Sequence, residues 1–157
     1  MHELSNDVKY KNAATKLCNH SLGLQKEDGR FISFKKEGDT NLHPHCYSAE
    51  GLLFAGLKLK NQDYLNSFIN ATRWALDSQM KEGGIPSMNV KGEFIEAERS
   101  DVLGQVLRLG TIGINLGIID KIYEEKLSKL ESRLISFQHK SEDIKSNGGL
   151  FYGEDIV

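Results

Sequence analysis

Leu42-His43-Pro44-His45-Cys46-Tyr47-Ser48-Ala49-Glu50-Gly51-Leu52-Leu53-Phe54-Ala55-Gly56 is the stretch whose reading decides the fold. Two histidines and a proline open it in the manner of a loop. From Cys46 to Leu59 apolar and small residues recur so densely that a helix there has little room for a solvated face. Polar chemistry is therefore predicted at the N-terminal mouth of a buried helix.

Outward from this stretch the chain alternates between two kinds of helix. Val8 to Gln25 carries Ala13, Ala14, Leu17, Cys18, Ser21 and Leu22 at helical spacing, the pattern of an amphipathic helix with one buried face. It runs into Asp28-Gly29-Arg30-Phe31, a turn, and then Phe31 to Phe34, a short extended piece. Lys35 to Leu42 reads as a charged loop. Tyr64 to Met80 is a second amphipathic helix, with Tyr64, Leu65, Phe68, Ala71, Trp74 and Ala75 as its core side. Ser87 to Glu98 reads as a polar loop. Ser100 to about Leu116 is another nearly apolar helix, and a fifth helix runs from Ile118 or Asp120 to Gln138.

These segments repeat. Gln25, Gly29, Phe31 and Gly56 recur 54 residues later as Gln79, Gly83, Ile85 and Gly110, and a looser third copy begins at Gln138 and Gly148. Each unit reads amphipathic helix, Gln, Gly turn, apolar residue, polar loop, buried helix. A helix that is apolar nearly all round has to be covered on most sides. Stacking the pairs around an axis meets that demand, with the apolar helices inside and the amphipathic ones outside. The glycines turn the chain inward, and the Gln side chain ties a helix end to the next turn. In this frame Tyr47 falls on Asp101 and His45 on Arg99.

Composition sets the class. With 157 residues, 39% hydrophobic and 27% charged, the chain fits one globular domain spanning 1–157. A net charge of -2 offers no basic surface for nucleic acid or an anionic membrane. No run is long and apolar enough to span a bilayer, and Met1 to Asp7 lacks the basic-then-apolar order of a signal peptide. The two cysteines, Cys18 and Cys46, make no disulfide framework. A cytoplasmic location is expected.

The stretches Leu22-Gly23-Leu24-Gln25-Lys26-Glu27-Asp28-Gly29-Arg30-Phe31 and Ala71 to Ile85 resemble the outer-helix and Gln-Gly signature of α/α-toroid proteins. His43 to Gly56 is similar to an inner helix of the same superfamily, which includes the six-hairpin glycosidases and the prenyltransferase and squalene-cyclase repeats. It is most like toroid proteins associated with polysaccharide biosynthesis. The resemblance implies an all-α chain of tandem helical hairpins forming about half of an α/α toroid, and a role in acting on or binding a polysaccharide or its precursor by glycosidase-like or epimerase-like general acid/base chemistry. Helical hairpins also serve as non-catalytic interaction modules, and a terpenoid or prenyl ligand is a third reading. Two full hairpins and part of a third are present, so a homodimer, or pairing with a second toroid half, is expected.

In such a fold the inner-helix N-termini rim the cavity. Glu50, Asp101 and His45 are the candidate catalytic groups, because carboxylates and imidazoles held there exchange protons with a sugar. His45 and Asp101, at the starts of inner helices on adjacent repeats, are expected to line one wall. His43, Tyr47, Arg99, Gln105 and Arg108 are candidate binding residues, with an oligosaccharide or small molecule as ligand. Glu96 and Glu98 lie nearby, and Tyr47, Phe34 and Tyr152 are positioned to stack on a sugar ring. His43, His45 and Cys46 lack the spacing of a zinc signature and no second cluster completes them, so no metal and no cofactor are expected.

Overall fold

In the computed structural model, which describes residues 7–34 and 38–153, five α-helices form two curved layers. The outer layer is α1 (Val8–Leu22), α3 (Gln62–Asp77) and α5 (Glu124–Ser136); the inner layer is α2 (Leu42–Leu59) and α4 (Ser100–Asn115). The chain therefore forms part of an α/α toroid. A single 3₁₀ turn, Lys121–Tyr123, leads into α5. The charged loop expected from Lys35 falls in part outside the described residues.

The core lies between the layers. Leu42, Ala49, Leu53, Phe68, Ala71, Leu76, Ile85, Val102, Leu103 and Leu130 are fully buried, drawn alternately from inner helices, outer helices and the turns that join them. Small residues set the spacing. Gly56 packs on Leu65 of α3, and Gly110, its repeat mate, packs on Leu127 of α5. The inner helices keep one uncovered side, where Tyr47, Phe54 and Leu57 are about half exposed.

The Gln-Gly signature closes each outer-to-inner turn. Gln25 Nε2 donates to Gly29 O (2.8 Å) and to Ser67 O in the neighbouring outer helix (2.9 Å). Gln79 repeats this with Gly83 O (2.9 Å) and Lys126 O (2.8 Å). Gln138 Nε2 reaches Gly148 O at 3.3 Å. Gly29, Gly83 and Gly148 sit at φ 99°, 92° and 86°, a region that side chains with a Cβ rarely occupy.

Two stretches differ from the sequence reading. Helix α2 begins at Leu42, not Cys46. The Asn41 side chain caps it by accepting from His43 N (3.0 Å), and Pro44 falls in the first turn, where a missing N–H costs nothing. Residues 87–98, read as a loop, contain strands β2 (Met88–Val90) and β3 (Glu93–Ile95), with β1 (Thr40–Asn41) added beside β2. All pairs are antiparallel, with Thr40 opposite Asn89 and Asn89 opposite Phe94. Lys91 and Gly92 both take positive φ, 53° and 92°, the geometry of a tight two-residue hairpin turn. The sheet laces the long loops of adjacent hairpins together beside the inner-helix N-termini.

Candidate functional site

The uncovered sides of α2 and α4 carry matched residues. His43, Tyr47 and Glu50 follow one another at i, i+4 and i+7 along α2; Asp101, Gln105 and Arg108 do so along α4. The two rows meet. His43 Nδ1 lies 2.9 Å from Asp101 Oδ2, and Glu50 Oε1 is ion-paired with Arg108 Nη1. Both pairs join residues 58 apart, so the two inner helices run parallel with a constant stagger.

Asp101 is the centre of the upper pair. Arg99 grips it with a two-pronged fork, Nε to Oδ1 at 3.1 Å and Nη2 to Oδ2 at 2.6 Å. The Val102 amide also donates to it, at 2.8 Å. Partial burial raises the carboxyl pKa, but the Arg99 hydrogen bond and charge, His43 and the Val102 amide outweigh this, leaving it below the usual value. Asp101 is therefore an anion at neutral pH. Its place in the first turn of α4, near the positive end of the helix dipole, adds to that preference.

His43 and Asp101 are each a little under a third exposed. The imidazole is within ion-pair distance of the carboxylate but is not aligned for a linear hydrogen bond. Tyr47 stands edge-on to the imidazole, ring centroids 4.9 Å apart, and is more than half exposed. Between the two ion pairs lies Gln105, whose Oε1 has no hydrogen-bond partner among the described residues. The rim thus offers water an imidazole, a carboxylate, an aromatic ring and a second ion pair, with the Gln105 acceptor oxygen buried between the pairs.

His45, expected to line one wall of the mouth with Asp101, does not belong to this group. It is 1% exposed, its Nδ1 accepts from Phe31 N (3.1 Å) and its Nε2 stands 3.0 Å from Ala71 O. Since Phe31 N–H must donate, Nε2 carries the proton and donates to Ala71. Burial pushes the His45 pKa down to about 4, against the upward pull of the Ala71 bond and the Asp28 charge. His45 holds the turn of its own repeat to the next outer helix, and His43, two residues earlier, is the imidazole that reaches Asp101.

Glu98 occupies a similar place in the following repeat. Its carboxylate packs against Gly84, where a Cβ would collide with it, and accepts from Arg133 Nε at 2.7 Å. With its side chain 4% exposed it lies inside, whereas Glu96 lies on the surface. The repeat frame had set His45 against Arg99; in space the counterpart is Glu98, one residue earlier. Cys46 is buried, and burial, with the nearby charges of Asp101 and Glu50, pushes its thiol up to about 12, so it is no nucleophile. Among the described residues no three His, Cys, Asp or Glu side chains gather as metal ligands, and no helix is long and apolar enough to cross a membrane.

Tyr152 is a residue whose position the repeat alone does not reveal. The 148–153 segment turns back so that Ser100 N donates to Tyr152 O (2.9 Å), and the Arg99 guanidinium lies over the Tyr152 ring, 4.8 Å from its centroid. The only sequence signal was its place after the third Gly-Gly.

No protein-family model and no curated protein sequence matches the chain. Solved structures do. The cellobiose 2-epimerase from Bacillus thermoamylovorans B4167 superposes with a TM-score of 0.79 at 12% identity, over 96% of this chain and 40% of that one. A polysaccharide lyase superposes with a TM-score of 0.78 at 14% identity, over 99% and 48%. The family 10 polysaccharide lyase from Cellvibrio cellulosa gives 0.55 at 14% identity, over 80% and 46%. At these identities the likeness shows the fold. The chain spans less than half the length of the structures it matches.

Proposed function

We propose that the rim formed by α2 and α4 binds a saccharide, of a polysaccharide or its precursor, and that His43 exchanges a proton with it. Asp101 is the orienting carboxylate: a small rotation of the imidazole about its Cβ–Cγ bond brings Nδ1–H onto Oδ2, leaving Nε2 as the basic nitrogen. Tyr47 supplies a ring face for the apolar side of a sugar, and Gln105 an amide for its hydroxyls. Glu50, locked to Arg108, shapes the lower wall. The observation that carries this reading is the His43–Asp101 pair, an imidazole and a carboxylate 2.9 Å apart on the uncovered side of the inner helices. The epimerase and lyase neighbours, whose reactions both act on carbohydrates, support the ligand class.

Reading and test are direct. The full chain is titrated calorimetrically with soluble cello-, manno-, xylo- and galacturono-oligosaccharides, and each binder is incubated and followed by NMR for epimerised or unsaturated product. At least one series binds, and His43→Gln weakens it about tenfold or more. Absence of binding across all four series overturns the reading.

A further inference from the structure

We propose that the groove between the 148–153 arm and the C-terminal end of α5 is a second saccharide subsite, continuous with the rim, so that the ligand is an oligosaccharide longer than a disaccharide. This rests on the reading of the rim as a saccharide site. The groove encloses about 720 Å³, and Ser87, Ala97, Arg99, Phe137, Phe151 and Tyr152 line it. That is within the usual size of a small-molecule site.

Arg99 joins the two places. Its N–H groups face Asp101 on the rim, while its guanidinium plane covers the Tyr152 ring in the groove. A chain leaving the rim past Asp101 therefore meets Tyr152 next. The arm is fixed by its backbone. Ser100 N and Ser100 Oγ donate to Tyr152 O at 2.9 and 3.3 Å, Phe151 N donates to Phe137 O at 2.9 Å, and Gly153 bridges to Arg99. Yet the two rings it carries stay in water: Phe151 is 53% exposed and Tyr152 65%. Arg99 lies over one face of Tyr152 and His139 stands edge-on to Phe151, so each ring is held in place with more than half of its surface still open to a ligand. Their faces match the C–H face of a pyranose, and Ser87 and the guanidinium edge match its hydroxyls. The nearby Glu98 and Arg133 are paired with each other, so the groove holds no uncompensated charge and suits an uncharged sugar.

The test is affinity against chain length. The full chain is titrated with cello-oligosaccharides from disaccharide to hexasaccharide, or with whichever of the uncharged cello-, manno- and xylo- series binds best. The hexasaccharide is expected to bind about tenfold tighter than the disaccharide. Tyr152→Ala brings the hexasaccharide down to near the wild-type disaccharide value, and Tyr152→Phe, which keeps the ring, retains most of the increment. Affinity independent of length overturns the second subsite while leaving the rim reading intact. So does a Tyr152→Ala variant that weakens both lengths equally. Failure of every series to bind overturns the rim reading and the subsite with it.

Discussion

Gln25 and Ser67, one in the turn after α1 and the other in α3, hold each other through two hydrogen bonds: Gln25 Nε2 donates to Ser67 O (2.9 Å), and Ser67 Oγ donates to Gln25 Oε1 (2.6 Å). Ser67 is buried, and the same Gln amide also satisfies Gly29 O. Gln25→Ala leaves two carbonyls and a hydroxyl short of partners. Each unpaired buried group costs about 1–3 kcal/mol, so a loss of about 3 kcal/mol is expected in urea unfolding. Gln25→Glu keeps the acceptor for Ser67 but sets a carboxylate oxygen against the Gly29 and Ser67 carbonyls, and is expected to cost at least as much at neutral pH.

The glycines divide by what surrounds them. Gly83 has φ 92°, and a Cβ on it would lie 2.8 Å from the Lys129 carbonyl oxygen, a backbone atom that cannot move aside. Gly83→Ala combines left-handed strain with that clash and is expected to cost about 2–4 kcal/mol. Gly51 lies mid-helix in α2 with nothing within 4 Å of a built Cβ and no positive φ. Gly51→Ala is expected to stabilise the protein by about 0.5–1 kcal/mol, because the helix loses its most flexible residue. Paired denaturation curves check both signs.

His45 makes stability depend on pH. Its folded pKa of about 4 lies below the 6.5 of an unhindered imidazole, because burial opposes the charge. The unfolded chain takes up the proton first as pH falls. The contribution of neutral His45 is therefore complete above pH 6.5 and drains away down to about pH 4, about 3 kcal/mol in all. His45→Asn removes this part of the slope. Thermal melts of the two proteins across that window should diverge at the high end and converge at the low end.

Much of the architecture is legible in the residues because local physics dictates it. The Gln and Gly positions 54 residues apart mark turns that need positive φ and a side-chain amide, and both turns formed as expected. The apolar runs of α2 and α4 could only be inner helices. What was not legible depends on contacts between repeats. His43 meets Asp101 because α2 and α4 pair with an offset of 58, one helical turn beyond the repeat period, and helix stagger is not written in either helix. Pro44 and the two histidines read as loop because Asn41, just outside the quoted stretch, is what makes the first turn of α2. His45 reads as rim chemistry because nothing local shows that Phe31 and Ala71 supply its partners. The hairpin at Lys91-Gly92 is not legible because lysine is an uncommon residue for a turn that needs positive φ twice.

The last expectation concerns how the rim residues share their work. If His43 moves the proton and Asp101 acts by orienting it, the two are one device, and removing either disables it. His43→Gln and Asp101→Asn should each weaken saccharide turnover, or binding where no turnover is seen, by about tenfold or more. The double variant should then be little worse than the poorer single one, whereas independent contacts would multiply. Asp101→Asn also releases the Arg99 fork, so a second cycle with Arg99→Gln separates the two partners. Coupling confined to Arg99 would make Asp101 an anchor for the arginine, and His43 a bystander. Stability should change by no more than about 1 kcal/mol in either single variant, because both side chains of the His43–Asp101 pair are partly open to water. A large loss of catalysis or affinity on an intact fold is thus the signature expected of this pair.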